Sequence, residues 1–313
     1  MREEIIISGR ANPNIDPYLH IWHWQIPLYL FLGGLAAGIL FFAAYYTITG
    51  KDQKFKAATY ISTMIVPALL VLGLFSLFLD LKHKMYFWRL YTTIKLESPM
   101  SWGAWVLMLV TPLSFILAAI NIKKIVPGWR WQNKYLEMLD RFFEKQRKVI
   151  AWILVVAAPI LGIYTGILFS AFNARPLWNT SILGPLFLVS GLSTGAAVNI
   201  LFSKNHEEKL TFARIDLVLI GIELFLITHM FMGFMASTQV QIDSAKLFLG
   251  GPYTAQFWVL VVMMGLVIPA FLEILELRKF KIPAIVPAGL VLMGGLVLRF
   301  ILTNAGQMSR WLY

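Results

Sequence analysis

The stretch WQIPLYLFLGGLAAGILFFAAYYTITG, residues 24–50, carries no charged side chain from end to end. A bilayer's hydrocarbon core is about 30 Å thick and asks for roughly 20 apolar residues of helix, so this stretch by itself predicts a membrane span. Five more charge-free runs follow, at 57–79, 102–122, 149–174, 176–203 and 247–272. Two further apolar stretches hold one charge each, 217–240 with Glu223 and 282–304 with Arg299. The reading is an all-α integral membrane protein with eight transmembrane helices.

Composition narrows what such a protein can do. Hydrophobic residues make up 58% and charged residues 14%, against about 25% charged in soluble domains. The longest segment between spans, 123–148, is too short to build a core of its own. A large soluble catalytic domain is therefore expected on another polypeptide. Cysteine is absent, which removes disulfides, thiolate chemistry and Cys-ligated iron–sulfur clusters. The first 22 residues lack the apolar core and small-residue site of a cleavable signal peptide.

The net charge of +11 is a topology signal rather than a nucleic-acid patch. With eight spans both termini share one side of the membrane. That side holds 9 Lys and Arg, four of them in 81–101, and the opposite side holds 17, eight of them in 123–148. The positive-inside rule then puts the 17-charge side in the cytoplasm and both termini outside, as in a bacterial inner-membrane protein. Within 123–148, Leu136, Leu139, Phe142 and Phe143 recur at helical spacing beside Lys and Arg, which predicts a helix lying on membrane lipid.

A repeat relates the two halves. PLYLFLGGLAAG (27–38) is echoed by PLFLVSGLSTG (185–195), and AWVLMLV (104–110) by FWVLVVM (257–263). The offsets are 157 between Gly34 and Gly191 and 153 between Trp105 and Trp258. Four spans separate the partners, so both halves keep the same orientation. The expected architecture is two four-helix bundles, 1–172 and 173–313, related by a parallel internal repeat. Gly34–Gly38 and Gly191–Gly195 are small residues at i, i+4 and are expected to let helices approach closely.

The sequence holds five histidines. A membrane cytochrome b needs two facing axial His per haem, and only His229 lies deep in a span. Neither haem nor a metal is expected in this protein. Polar residues gather instead at the outer span ends: Asp16, His20 and His23 before the first, and Asp80, Lys82 and His83 at the second. Arg175, Trp178 and Asn179 follow the fourth, and Arg299 and Asn304 lie in the eighth. One use is a shared polar pocket; the plain alternative is interface anchoring, with Asp80 and Arg299 as a buried ion pair. Deeper in the membrane lie Tyr164, Glu223 and His229. At 1.5 Å per residue Glu223 is roughly 9 Å and His229 about 18 Å from the cytoplasmic end, which suits proton transfer. Six residues is about 120° around a helix, however, so the two do not line one stripe. Glu273 reads as interfacial.

Four strings resemble the NrfD/polysulfide-reductase membrane-subunit family: DPYLHIWHWQIPLYLFLGGLAAG (16–38), LFLDLKHKMYFWRL (77–90), SPMSWGAWVL (98–107) and ARPLWNTSILGPLFLVSGLSTGAA (174–197). The resemblance implies a haem-free subunit of a respiratory oxidoreductase that exchanges electrons with menaquinone. It implies an extracytoplasmic iron–sulfur partner and a molybdopterin catalytic subunit. It also implies a His and a polar neighbour at the entrance to the first span, matched by His20 and Asp16, and a Tyr from a later helix, for which Tyr164 is the candidate. Asp80 and Arg175 complete the expected quinone-binding set, with Glu223 and His229 for protons. The competing readings are a proton-coupled secondary transporter and a passive anchor without quinone chemistry.

Overall fold

A computed structural model describes residues 21–126, 128–129 and 131–310; Asp16 and His20 lie outside them. Helix dominates, and no strand occurs among the described residues. The solvent explains this: in hydrocarbon every backbone N–H and C=O has to be satisfied within its own segment. The main helices are α1 (Gln25–Ile48), α2 (Val66–Asp80), α3 (Pro99–Ile125), α4 (Lys134–Lys145), α5 (Arg147–Ser170), α6 (Leu183–Phe202), α7 (His206–Met235), α8 (Gln256–Leu277) and α9 (Ile285–Met308).

Seven of these, all but α2 and α4, are long and apolar enough to cross a membrane. The expected second span is a bent pair. Residues Ala57–Met64 and α2 meet at 43°, and count as an eighth crossing when taken as one. The bend has a local cause. Pro67 sits in the first turn of α2, where it lacks an amide hydrogen and disfavours helix at the residue before it. The turns ahead of it are π-type at Ala57–Ile61 and 3₁₀ at Ser62–Met64.

The expected span 247–272 is displaced along the sequence. Gly250 takes φ +106° and Pro252 follows, so the backbone turns there and the helix begins at Gln256. It continues to Leu277, past the end of the charge-free run. Glu273, expected at the interface, is consequently inside α8 and fully buried at 0% exposure.

Packing centres on α1, which lies against α2, α5, α6 and α9. Its contact with α6 is made by the glycines that the repeat pairs. A Cβ on Gly191 would come 2.8 Å from the Gly34 carbonyl oxygen, and one on Gly195 would come 2.6 Å from the Gly38 carbonyl carbon. Backbone therefore touches backbone, as small-residue interfaces permit in membranes. Helices α8 and α9 cross the same way, with Gly265 against Gly294. The α4 helix is capped by Asn133, whose side chain accepts from the Tyr135 amide at 2.8 Å. It exposes Leu136, Leu139 and Phe142, while Phe143, expected on the same face, is half-buried against the core. Lys123–Asp140 and Lys124–Glu144 ion pairs tie it to α3.

Candidate functional site

A cavity of about 120 Å³ opens at the end of the bundle where α1 begins and α2 ends. Its polar lining is Asp80, Tyr29, Tyr91 and Tyr164; Trp22, Phe172 and aliphatic side chains supply the rest. Each phenol arrives from a different element. Tyr29 comes from the first turns of α1 and Tyr164 from α5, both buried, while Tyr91 sits in the short helix Arg89–Thr92. Tyr164 is held against α3 at Gly103, where a Cβ would overlap its ring. Burial pushes the Tyr91 phenol up, so it remains a hydrogen donor at neutral pH.

Trp22 is fixed at the mouth by the last helix. Its amide donates to Gln307 Oε1 at 2.9 Å, and Gln307 Nε2 donates to the Trp22 carbonyl at 2.8 Å. Its ring stacks on Phe169 with centroids 5.6 Å apart and leans on Trp178 at 5.2 Å. A reciprocal amide pair between residues so distant in sequence clamps the entrance of α1 to the end of α9.

The expected site residues divide accordingly. Asp80 and Tyr164 line the cavity, and Asp80 lies within electrostatic reach of His23. Arg175 does not line it: its Nη1 donates to the Ser309 carbonyl at 2.8 Å, holding the end of α9. Trp178 is fully buried and donates Nε1 to the Leu302 carbonyl at 2.9 Å, while Asn304 is exposed. The Asp80–Arg299 ion pair considered above does not form. Arg299 points instead toward α6 and α7 and takes no part in the lining of Asp80's cavity. Tyr29, Tyr91 and Trp22 were not singled out from sequence. Tyr29 lies within the quoted 16–38 string, but nothing local tells which tyrosines of a helix face inward.

The second polar feature is a buried row between α6, α7, α8 and α9. Arg299 Nη1 donates to Ser190 Oγ at 2.5 Å and to the Gly295 carbonyl at 2.9 Å, and Nη2 donates to the Phe187 carbonyl at 3.1 Å. Glu223 faces the same Ser190 and the guanidinium. Two turns along α7, Asp216 accepts from Ser193 Oγ at 2.5 Å and meets the Glu273 carboxyl from α8. Asp216, Glu223, Glu273 and Arg299 are each 2% exposed or less. Carboxyl groups so deeply buried require a hydrogen-bond or charge partner, or a proton. His229 does not join them. It lies on the outward surface of α7, stacked on Phe225 at 5.2 Å, because six residues of helix turn it away from Glu223.

A family model described as polysulphide reductase, NrfD, matches residues 12–309. The chain belongs to the NrfD polysulphide-reductase family. It is 30% identical to protein NrfD of Escherichia coli over 92% of its own length and 96% of the relative. It is 29% identical to the C subunit of the polysulfide reductase of Wolinella succinogenes, over 92% and 94%. A Haemophilus influenzae NrfD homolog is 27% identical over 92% and 95%. The NrfD match thus spans both the tyrosine-lined cavity and the buried row, and the apolar helices make this a multi-pass membrane protein.

Proposed function

We propose that this protein is the quinone-reactive membrane subunit of a respiratory oxidoreductase, passing electrons and protons between menaquinone or menaquinol and an extracytoplasmic iron–sulfur subunit. The observation that carries the reading is the cavity at the start of α1, where Asp80 and three phenols meet an aromatic and otherwise apolar interior. A naphthoquinone head group asks for that combination: flat apolar walls, with donors and acceptors at its two carbonyl oxygens. The space at Gly103 that admits the Tyr164 ring supports the fit.

Bound menaquinol supplies two electrons and two protons. The protein's own part is to orient the ring and to handle the protons. Tyr29, Tyr91 and Tyr164 would donate hydrogen bonds to the oxygens, and Asp80, within electrostatic reach of His23, would accept a proton and release it at the outer surface. His20 and Asp16 belong to this reading as a base and its orienting carboxylate. His20 stands two residues before Trp22, which lines the cavity. An imidazole titrates near pH 6.5 and suits that role. Glu223, within the buried row, is the proposed proton carrier deeper in the membrane.

The rest of the assembly follows from the same reading. The Wolinella relative is by name one component of a polysulfide reductase, which supports partner subunits here. The partners proposed are an iron–sulfur protein and a molybdopterin catalytic subunit. The bent pair counted as one crossing makes eight spans, in two repeat-related halves, with both termini outside a bacterial inner membrane. The α1–α6 glycine contact between repeat-equivalent segments supports that arrangement. Replacing His20 by Ala should abolish quinol-linked turnover of the complex while dye-linked catalysis by its partners persists. Unchanged quinol turnover with normal assembly would take His20 out of the quinone site, and a wild-type complex with no quinol-linked turnover would leave a passive anchor.

A further inference from the structure

A second cavity, of about 270 Å³, adjoins the first on the flank of α2. The two share Leu77, Leu81, Leu90 and Tyr91 as a common wall. Beyond that wall the groove has its own lining of Leu74, Phe75, Phe78 and Phe87. Phe75 and Phe87 are half exposed on the protein surface, at 54% and 47%. Phe78 and Phe87 meet edge to face with centroids 5.9 Å apart. The Tyr91 hydroxyl is the one hydrogen-bonding side chain in the lining, and it belongs to the shared wall.

We propose that this groove between α2 and the 87–91 segment binds the isoprenoid tail of a lipid-soluble quinone and is the lateral portal through which the quinone enters. The inference rests on the quinone reading of the first cavity and adds its missing half. A head group in the tyrosine-lined cavity needs an apolar exit for its tail, and an exit across the polar mouth would expose that tail to water at a cost for every methylene. The groove adjoins the head-group cavity across their shared wall of Leu77, Leu81, Leu90 and Tyr91, and lies on the flank of a membrane-crossing segment, at the height of the last two turns of α2. Its polarity runs in the same sense as the ligand's, with Asp80 and the phenols at one end and phenylalanines at the other. The branched, unsaturated units of a polyprenyl tail match an aromatic groove of this kind.

The test compares a quinone without a tail with one that carries it. Menadione and a menaquinone with four isoprenoid units would each be titrated into the purified full-length protein in nanodiscs, reading quenching of tryptophan fluorescence, since Trp22 lines the head-group cavity. Leu74→Phe fills the groove without touching the head-group lining. It should weaken the tailed quinone about tenfold, the effect of losing roughly two methylenes of burial, and leave menadione unchanged. Phe87→Ala, in the segment outside the long helices, removes a wall rather than adding bulk and should show the same selectivity if Leu74→Phe fails to fold. Equal weakening of both quinones, or of neither, overturns the portal. So does a groove variant that changes only the retained phospholipid, which would make it a lipid acyl site. Wild-type protein that is quenched by neither quinone overturns the head-group reading first, and the portal with it.

Discussion

Gly103 and Tyr164 form a pair that neither residue's type announces. The glycine sits in the second turn of α3, where it costs up to about 1 kcal/mol relative to Ala in helix propensity, and its place is explained by the phenol ring that fills the missing side chain's volume. Gly103→Ala should therefore push Tyr164 out of the cavity. It should weaken menadione binding about as much as Tyr164→Phe, which removes one hydrogen bond of about 1 kcal/mol, or roughly fivefold in affinity. A fluorescence titration of both variants checks this, and wild-type affinity in Gly103→Ala would show that the ring does not depend on the glycine. Glu223 and His229 separate equally cleanly. Glu223 is buried against Ser190 and Arg299, whereas His229 faces outward. Glu223→Gln keeps the size and hydrogen bonding but cannot carry a proton, so quinol-linked turnover should fall about a hundredfold, the scale of a lost proton-transfer group. His229→Ala should leave it unchanged. Equal turnover in both variants would take Glu223 out of the proton route.

The elements are joined through glycine, and the contacts say which glycines matter. At Gly38 an added Cβ would run into the Gly191 carbonyl of α6, while at Gly33, one position before the first glycine of the contact, it would meet nothing within 4 Å. Backbone cannot give way as a side chain does, so Gly38→Ala has to separate α1 from α6. Overpacking of this kind costs about 1–3 kcal/mol and should lower the thermal midpoint of the detergent-solubilised protein by several degrees. Gly33→Ala should leave the midpoint unchanged or raise it, since alanine is the better helix former. Identical midpoints would mean that the two helices do not meet there. The bent pair at Ala57–Met64 and the late start of α8 are further properties of elements. Hydropathy registers only whether a stretch can lie in lipid, so it marks 57–79 and 247–272 as spans without their bends or true starts. Pro67 bends the first, and Gly250 with Pro252 delays the second.

For the whole molecule, the class was legible because lipid is a demanding solvent. Apolar runs longer than a bilayer core admit helix as the open-ended solution, and the Gly34–Gly38 and Gly191–Gly195 pairs marked surfaces fit for close helix approach, without showing that they would meet each other. The four strings at 16–38, 77–90, 98–107 and 174–197 carried the family. Asp80 and Tyr164 were legible as rare polar groups within or beside apolar stretches. Tyr29 was not, because an aromatic residue in a span is equally at home against lipid and against protein; Tyr91 was not, because it lies in the segment between two spans, where only the fold brings it back to the cavity. Glu273 was misplaced by a few residues, and that changed it from an interface anchor to the buried neighbour of Asp216. Composition and spacing alone determined a helical membrane protein with its few polar groups at span ends and along one late helix. Only the tertiary structure decided which of those groups meet. A helix turns its side chains through every direction around its axis, and packing against neighbours fixes which direction faces the cavity, which the buried row and which the lipid. Thus Asp80 keeps company with three tyrosines rather than Arg299, and Arg299 with Ser190 and Glu223.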